Sequence, residues 1–162
     1  MAGEAERAYQ KCLYMLERRD YTESELRRKL KIKEFEPEAI DGAILRLKEY
    51  GFVNDRRFAE QYLRYHYTEY SRKMLSMKLL QKGIKAEMFD EVYEQMLKES
   101  DDSPEREALC RVIETALRKA ERKGLSRYEL PADERNRIIA SAYRKGFSVS
   151  QINSELIKAV EQ

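Results

Sequence analysis

The sequence contains few of the residues that interrupt or cross-link helices: its 162 residues include 3 prolines, 6 glycines, 2 cysteines and no tryptophan. All-β folds need frequent turn residues, so this scarcity favours long helices with few breaks. No apolar run approaches the ~18 residues of a membrane span, and the acidic first residues lack the apolar centre of a signal peptide. Cys12 and Cys110 are far apart and show no metal or disulfide spacing. We therefore expect a protein of the reducing cytoplasm.

The residues that carry most enzyme chemistry are also scarce. His66 is the single histidine, and the chain has no glycine-rich phosphate loop, Walker-type lysine or Gly-x-Ser-x-Gly motif. Catalysis needs a positioned acid, base, nucleophile or metal, so we expect neither an enzyme nor a cofactor. A site made of carboxylates alone is the alternative that the sequence leaves open. Both cysteines lie on predicted apolar helix faces, where small thiols are commonly buried.

Charged residues are abundant, at 38% of the chain, and nearly balanced, with 32 basic and 30 acidic residues. Their distribution is uneven, because basic residues dominate segments 18–33, 56–82 and 111–127, while acidic residues concentrate between them, as in segment 99–107. Such alternation is typical of solvated helix faces with pairs of opposite charge four residues apart. It equally suits basic patches that contact an anionic partner.

Apolar residues recur at helical spacing almost throughout the chain, and polar residues mark where each helix begins. Thr22 with Glu25, and Ser148 with Gln151, have the spacing of capping boxes. Pro37 suits the first turn of another helix. Together with Asn54, Ser71, Ser103 and Pro131, and with glycines after four helix ends, these signals predict helices beginning near residues 5, 22, 37, 54, 71, 86, 103, 131 and 148.

The helical pattern repeats along the chain. Segments 33–35, 82–84 and 145–147 each begin with lysine, end with an apolar residue and lie at equivalent helix ends, at offsets of 49 and 63 residues. The same offsets superpose other apolar positions, such as Leu26, Leu75 and Ile138. We therefore predict an all-α fold of three tandem three-helix repeats, residues 1–52, 53–100 and 101–162, forming an elongated, curved array.

The candidate binding residues are cations of the three basic segments and two tyrosines from segment 62–70. That segment holds four tyrosines, whose rings can stack on bases or pack at a protein interface. By helical register we expect Tyr62 and Tyr65 in the core, which leaves Tyr67 and Tyr70 to contact a partner. The full set is Arg18, Arg19, Arg27, Arg28, Lys29, Arg56, Arg57, Arg64, Tyr67, Tyr70, Arg72, Lys73, Lys78, Lys82, Arg118 and Arg122.

Three blocks of sequence, taken in order, resemble those of a known family. They are residues 12–30, residues 47–59 with the run Asn-Asp-Arg-Arg-Phe-Ala after a helix end, and residues 79–84, Leu-Leu-Gln-Lys-Gly-Ile. In order and spacing they are similar to the bacterial RecX family, the regulators of the RecA recombinase. The resemblance covers about residues 5–98.

The resemblance implies three tandem three-helix repeats, in agreement with the register above. It also implies a protein that binds RecA–DNA filaments and blocks their extension, and so restrains their ATPase, strand-exchange and co-protease activities. The implied partners are the RecA filament and, weakly, single- or double-stranded DNA; we expect a monomer with no membrane partner and no cofactor. Two departures stand out: segment 66–73 lacks the glycine-containing basic turn of the family, and the third repeat matches only loosely.

Two other functions fit the same sequence. One is a stand-alone nucleic-acid-binding protein that uses a helix pair resembling a helix-turn-helix, since segment 24–33 is basic and follows a short turn. The other is a helical adaptor for an unrelated protein. Composition and repeats allow all three functions, and only the motif blocks favour the first.

Overall fold

The computed structural model describes residues 2–101 and 103–162, and in these ranges it contains nine α-helices, one short 3-10 helix and no β-strand. The all-α prediction is therefore confirmed. In chain order the helices are α1 Ala2–Leu16, α2 Glu23–Ile32, α3 Pro37–Glu49, α4 Asp55–His66, α5 Arg72–Gln81, α6 Ala86–Lys98, α7 Pro104–Arg122, the 3-10 helix Arg127–Glu129, α8 Ala132–Arg144 and α9 Val149–Glu161.

The predicted capping boxes are present. The Thr22 hydroxyl accepts a hydrogen bond from the Glu25 backbone N–H at 3.2 Å, and the Glu25 carboxylate accepts one from the Thr22 N–H at 3.1 Å. Ser148 and Gln151 make the same reciprocal pair at the start of α9, at 3.2 and 3.1 Å. Each box satisfies backbone donors that a helix start leaves without intrahelical partners, which is why sequence located these starts well.

Two further helix starts are held by single side chains. Asn54 Oδ1 accepts from the Arg57 N–H at 3.0 Å before α4, and Ser71 Oγ accepts from the Met74 N–H at 3.1 Å before α5. Pro37 is the first residue of α3, where its missing N–H has no intrahelical partner to lose. These three predictions are confirmed.

The described chain divides into two compact units. Unit 1 runs to Tyr62 and adds Lys78–Val92, whereas unit 2 comprises Leu63–Met77 and the described residues from Tyr93 to Gln162. The division passes through α4, α5 and α6, so these three helices contribute residues to both units. The boundaries of the three repeats stay a prediction.

The core of unit 1 forms where α1 and α2 pack on α3. Burying a leucine or isoleucine side chain contributes about 1.5–3 kcal/mol, so this cluster contributes strongly to the stability of the unit. Its buried members are Ala8, Tyr9, Cys12, Leu26, Leu30, Ile40, Ala43, Ile44, Leu47 and Val53.

The core of unit 2 forms where α7 packs on α8 and α9 and where α8 packs on α9. The 3-10 helix lies against α7 and α9 and is fastened by Arg127, which bonds to Glu114 at 3.1 Å and to Glu121 at 2.6 Å. The buried members are Ala108, Leu109, Ile113, Leu117, Ile138, Ala142, Phe147, Ile152 and Leu156.

Two sequence-based burial assignments are wrong, and Tyr62, also expected in the core, is only half-buried. Tyr65, expected in the core, is 79% exposed, because it lies about 200° around α4 from the buried Leu63. Cys110 is also exposed, since it sits at the edge of the buried stripe of α7, where its thiol donates to the Glu155 carboxylate at 3.3 Å. Cys12 is buried as its helix face predicts.

Candidate nucleic-acid and protein interface

Unit 1 brings the start of α2 against the end of α5. The Thr22 hydroxyl donates a hydrogen bond to the Lys82 carbonyl. Gly83 follows with φ +87°, and a Cβ built on it would lie 2.2 Å from the Ser24 Cβ. Only glycine suits that backbone conformation and that approach. We call this contact of Thr22, Ser24, Lys82 and Gly83 the first joint.

Unit 2 contains an equivalent contact between the start of α5 and the end of α8. The Ser71 N–H donates to the Lys145 carbonyl at 3.0 Å. Gly146 has φ +98°, and a Cβ there would lie 2.2 Å from Ser71 Oγ and 2.8 Å from Met74 Cβ. We call this contact the second joint. The offsets of 49 and 63 residues found in the sequence map Thr22, Lys82 and Gly83 of the first joint onto its residues.

Cations and aromatic rings gather around the first joint. The Arg19 guanidinium lies 3.7 Å from the centre of the half-buried Tyr21 ring, and the Lys29 ammonium lies 5.7 Å from the same centre. Cations at these distances are attracted by the electron-rich face of the ring. Two predicted binding residues, Arg19 and Lys29, thus share one aromatic platform that the sequence did not single out.

Lys82 belongs to the same surface. Its ammonium lies 5.9 Å from the Phe58 ring centre and 6.0 Å from that of Tyr62. One carboxylate, Glu25, pairs with both Lys82 at 3.5 Å and Arg19 at 3.7 Å. Arg19 and Lys82 therefore share one acid, and Lys29 forms no ion pair with a described residue, which leaves this surface positive. We call Arg19, Lys29, Lys82 and their rings the first basic surface.

Other predicted cations of unit 1 are neutralised within the fold. Arg27 pairs with Glu23 at 3.0 Å and with Asp41 at 2.6 Å. Burial opposes ionisation of Glu23, but hydrogen bonds from Lys48 and Arg27 outweigh it and lower the pKa of that carboxyl. Arg27, one of the predicted binding residues, therefore also stabilises the packing of α2 on α3.

Further predicted cations of unit 1 also have intramolecular partners. Arg56 pairs with Glu60 at 3.4 Å and with Glu91 at 3.0 Å. Arg57 donates to the Gly51 carbonyl at 2.9 Å, and Lys78 lies half-buried at the end of α5. These contacts engage the guanidinium groups of Arg56 and Arg57 within unit 1.

Two remaining arginines of unit 1 differ in their surroundings. Arg18 is exposed and lies 4.6 Å from the Tyr14 ring centre. Arg28 is exposed and forms no ion pair with any described residue. Arg18 also forms no ion pair with a described residue, but its guanidinium contacts the ring and the hydroxyl of Tyr14, whereas Arg28 makes neither kind of contact.

The two tyrosines predicted to contact a partner lie in unit 2, and both are half-buried. Tyr70 lies beneath the Lys145 ammonium, 5.4 Å from the ring centre, and Tyr67 is half-buried close by in the chain. Arg72 lies 4.6 Å from the Tyr93 ring centre and pairs with Glu94 at 3.1 Å. Burial raises the pKa of Tyr93 to about 12, so this phenol stays neutral.

The last four predicted cations differ in whether they form an ion pair. Arg118 pairs with Glu114 at 3.0 Å on α7. Arg64, Lys73 and Arg122 are exposed and make no ion pair within the described ranges. With Arg28, these three are the predicted cations best placed to meet an anionic partner.

Lys145 is a cation of the second joint that is absent from the residues predicted from sequence, because it lies outside the three basic segments. The register of the repeats makes it equivalent to Lys82, and this equivalence is the signal in the sequence that points to it.

Neither a metal centre nor a membrane span is found in the described ranges. No group of three or more His, Cys, Asp or Glu side chains there could hold a metal ion. None of the helices in residues 2–101 and 103–162 is both long and apolar enough to cross a bilayer.

Comparison with known proteins gives consistent matches. Family models described as the first and second three-helix domains of RecX match residues 8–47 and 54–92. The regulatory protein RecX of Caldanaerobacter subterraneus subsp. tengcongensis is 36% identical over 92 residues, which are 56% of this chain and 47% of that relative. The chain therefore aligns with about half the length of that relative.

Two matches cover more of the chain. The regulatory protein RecX of Clostridium beijerinckii is 27% identical over 154 residues, or 95% of this chain and 68% of the relative. The crystal structure of RecX from Lactobacillus salivarius is similar with a TM-score of 0.73 and 21% identity, covering 99% of both chains. That likeness shows the fold.

Proposed function

The chain belongs to the RecX family, and from this premise we propose that it binds RecA–DNA filaments and inhibits their extension, ATPase, strand exchange and co-protease activity. The observation that carries the proposal is the set of three motif blocks, at residues 12–30, 47–59 and 79–84, in family order and spacing. The role is a regulatory one, in recombination and DNA repair.

The distribution of charge supports a long anionic partner. A protein–DNA filament presents many copies of one protein surface together with a continuous row of phosphates. Arg28, Arg64, Lys73 and Arg122 are exposed cations without ion pairs in the described ranges, and they occur in all three basic segments. Contacts of this kind to phosphates weaken as salt rises, because bound counterions are released.

The experiment is ATP hydrolysis by RecA on single-stranded DNA, titrated with the chain at two salt concentrations. We expect inhibition well below one copy per RecA, because a copy that blocks filament growth affects many protomers. Replacing both Arg28 and Lys73 by alanine should raise the concentration needed for inhibition severalfold. An unchanged ATPase rate at stoichiometric excess would refute the proposal.

The matched control is Arg135→Ala, since Arg135 is an exposed cation without an ion pair in the described ranges and lies outside the predicted set. It removes one positive charge, so it is compared with Arg28→Ala and with Lys73→Ala singly, and its inhibition curve should overlay that of the unaltered chain. Equal weakening by Arg135→Ala and by the Arg28 and Lys73 substitutions would mean that only net charge matters.

The first basic surface favours a second candidate, a nucleic-acid-binding protein that acts without RecA. Arg19 and Lys29 on the Tyr21 ring are the side-chain types that meet phosphates and bases. This candidate predicts tight, sequence-selective duplex binding by the chain alone. Weak binding that is indifferent to sequence would reject it while leaving the RecA proposal intact.

A further inference from the structure

A groove of about 520 Å³ lies beside the second joint, within unit 2. It is bordered by the connection between α4 and α5, by α7 and by α8. Its polar lining consists of three cations, three hydroxyl groups and one carboxylate, and a methyl-bearing strip from Val112 and Ala116 of α7 completes it. None of its cations is among the binding residues predicted from sequence.

Two of the three cations have no acidic partner. Lys145 is half-buried, and Lys119 is exposed; neither forms an ion pair with a described residue. The contact between Lys145 and the Tyr70 ring does not neutralise the ammonium charge. Arg111, the third cation, pairs with Glu107 at 2.8 Å. A half-buried ammonium without a counter-charge favours an anion in the space it faces.

The first joint shows what is missing at the second. Lys82 occupies the position equivalent to Lys145, and there Glu25 lies 3.5 Å from the ammonium. The residue equivalent to Glu25 is Met74, which carries no charge. The same architecture therefore neutralises its lysine in unit 1 and leaves it unneutralised in unit 2.

A second difference opens the space in front of Lys145. The position equivalent to Arg19, whose long side chain covers Tyr21 at the first joint, is Thr68. Thr68 lines the groove, and its hydroxyl joins those of Thr115 and Ser141 as available hydrogen-bond donors.

One acidic side chain, Glu69, also lines the groove. Its carboxylate is already engaged, because it lies 2.9 Å from His66 Nδ1. Three cations thus face a single carboxylate that has its own hydrogen-bond partner, and the lining as a whole remains positive.

We propose that this groove binds a phosphate group of a nucleic-acid strand. Lys145 and Lys119 supply the charge, and the hydroxyls of Thr68, Thr115 and Ser141 donate to the phosphate oxygens. The groove, of about 520 Å³, is larger than a single inorganic phosphate needs, which leaves room for part of the nucleotide that carries the phosphate. The inference deepens the proposed function, because it assigns a nucleic-acid contact to a definite place in unit 2.

The experiment uses the full chain without RecA. Fluorescence anisotropy measures binding of a labelled oligothymidine of about 12 nucleotides, within the usual site sizes for single strands, over a series of salt concentrations. The variants are Lys145→Met, which removes the charge, and Met74→Glu, which supplies the carboxylate found at the first joint.

Met74→Glu is informative because we expect it to fold. It turns the Ser71 start of α5 into a capping box of the kind formed by Thr22 and Glu25, so helix formation is supported. Lys158→Met is the charge-matched control, since Lys158 pairs with Glu155 at 3.2 Å and does not line the groove. Circular dichroism verifies that all three variants are folded.

We expect Lys145→Met and Met74→Glu each to weaken oligothymidine binding roughly three- to tenfold. Loss of one phosphate contact should also reduce the slope of log affinity against log salt by about 0.7. Lys158→Met should leave both quantities unchanged. Unaltered binding and slope in folded Lys145→Met and Met74→Glu proteins would overturn the proposal, as would an equal loss in Lys158→Met.

A second arm separates the strand from free phosphate. Inorganic phosphate is compared with chloride at equal ionic strength as a competitor of the oligothymidine. We expect the two salts to compete alike, because a free phosphate replaces only one of the contacts that a strand makes. Binding of inorganic phosphate that Lys145→Met abolishes, together with oligothymidine binding that Lys145→Met leaves unaltered, would reject a strand in favour of a small-anion site. If oligothymidine does not bind in the groove, the RecA proposal is unaffected, because ATPase inhibition is measured separately. If the chain does not inhibit the RecA ATPase, the proposed phosphate site in the groove is likewise unaffected.

Discussion

Gly83 and Gly146 are the residues where the backbone leaves least room for a side chain. Both have positive φ, and in both a Cβ would overlap a side chain at the start of another helix. Glu34, the equivalent residue after α2, also has positive φ, at 62°, but it is exposed. Positive φ alone therefore tolerates another residue, whereas the close approach at the two joints requires glycine.

Replacing Gly146 by alanine should destabilise the protein by roughly 3 kcal/mol or more, because Ser71 and Met74 must both move. Gly124→Ala is the matched control in the same unit: φ is also positive, at +85°, but nothing lies within 4 Å of the added carbon. It should cost only about 1 kcal/mol. Urea unfolding measures both, and equal costs would refute the steric argument.

The two cysteines should differ sharply in reactivity. Burial raises the pKa of Cys12 to about 11, so at pH 8 its thiol is both neutral and inaccessible. Burial and the Glu155 hydrogen bond also raise the pKa of Cys110, but that thiol is exposed. A thiol reagent should therefore label Cys110 slowly in the native protein and Cys12 only after unfolding. Mass spectrometry of the peptides decides, and native labelling of Cys12 would contradict the packing described.

At the scale of elements, the 3-10 helix shows how a side chain can hold a connection that has no strong helical pattern. Arg127 is 20% exposed and forks between Glu114 and Glu121 of α7, and its hydrogen bonds lower the pKa of both carboxyls. The longer connection between α7 and α8 is thereby held by these ion pairs as well as by Leu130, which packs against the core of unit 2.

Replacing Arg127 by methionine should lower the melting temperature at neutral pH by a few degrees. The folded-state pKa values of Glu114 and Glu121 lie below the unfolded value of about 4.3. Their stabilising contribution is therefore complete above that value and is lost as pH falls through the folded-state values. The gap between the variant and the unaltered protein should be constant from pH 8 to about 5 and should narrow below about 4. A gap independent of pH would exclude the ion pairs as its cause.

At the scale of the whole molecule, each of the two units has a buried cluster of its own among the described residues. One gathers residues of α1, α2 and α3, and the other gathers residues of α7, α8 and α9. Each unit also contains one joint. Because the division between the units falls within α5, this helix contributes residues to both of them. Because each unit has its own buried cluster, we expect one unit to unfold locally while the other stays folded.

Hydrogen exchange tests this division. Gly146→Ala should speed amide exchange in α8, α9 and segment 67–77, which belong to unit 2. Amides of α1 and α3, in the core of unit 1, should keep most of their protection. A uniform loss of protection over the described chain would mean that the two units unfold as one.

Sequence predicted the helix starts well and the buried faces less well. Starts depend on contacts three residues apart, as between Thr22 and Glu25, so the signal lies within the segment itself. Faces depend on which neighbours pack there. Tyr65 and Cys110 fit an apolar stripe by spacing, yet the structure leaves both outside the core.

For the candidate binding cations, too, the sequence predicts some features and only the structure shows others. The register of the repeats placed Lys82 and Lys145 as equivalents before any contact was known. Lys82 forms an ion pair with Glu25, whereas Lys145 forms none with a described residue. This difference arises because helices distant in sequence pack against each other. Charge counted along the chain therefore located basic segments but not the groove beside the second joint.

By itself the sequence determined the all-α class, the helix starts, the register of the repeats and the motifs of the family, because each depends on neighbours along the chain or on their order. Only the tertiary structure decided which cations are neutralised and which face an open groove. The energy of a charge depends on the groups within a few ångströms of it, and in this protein several of those groups lie about 60 residues or more away along the chain.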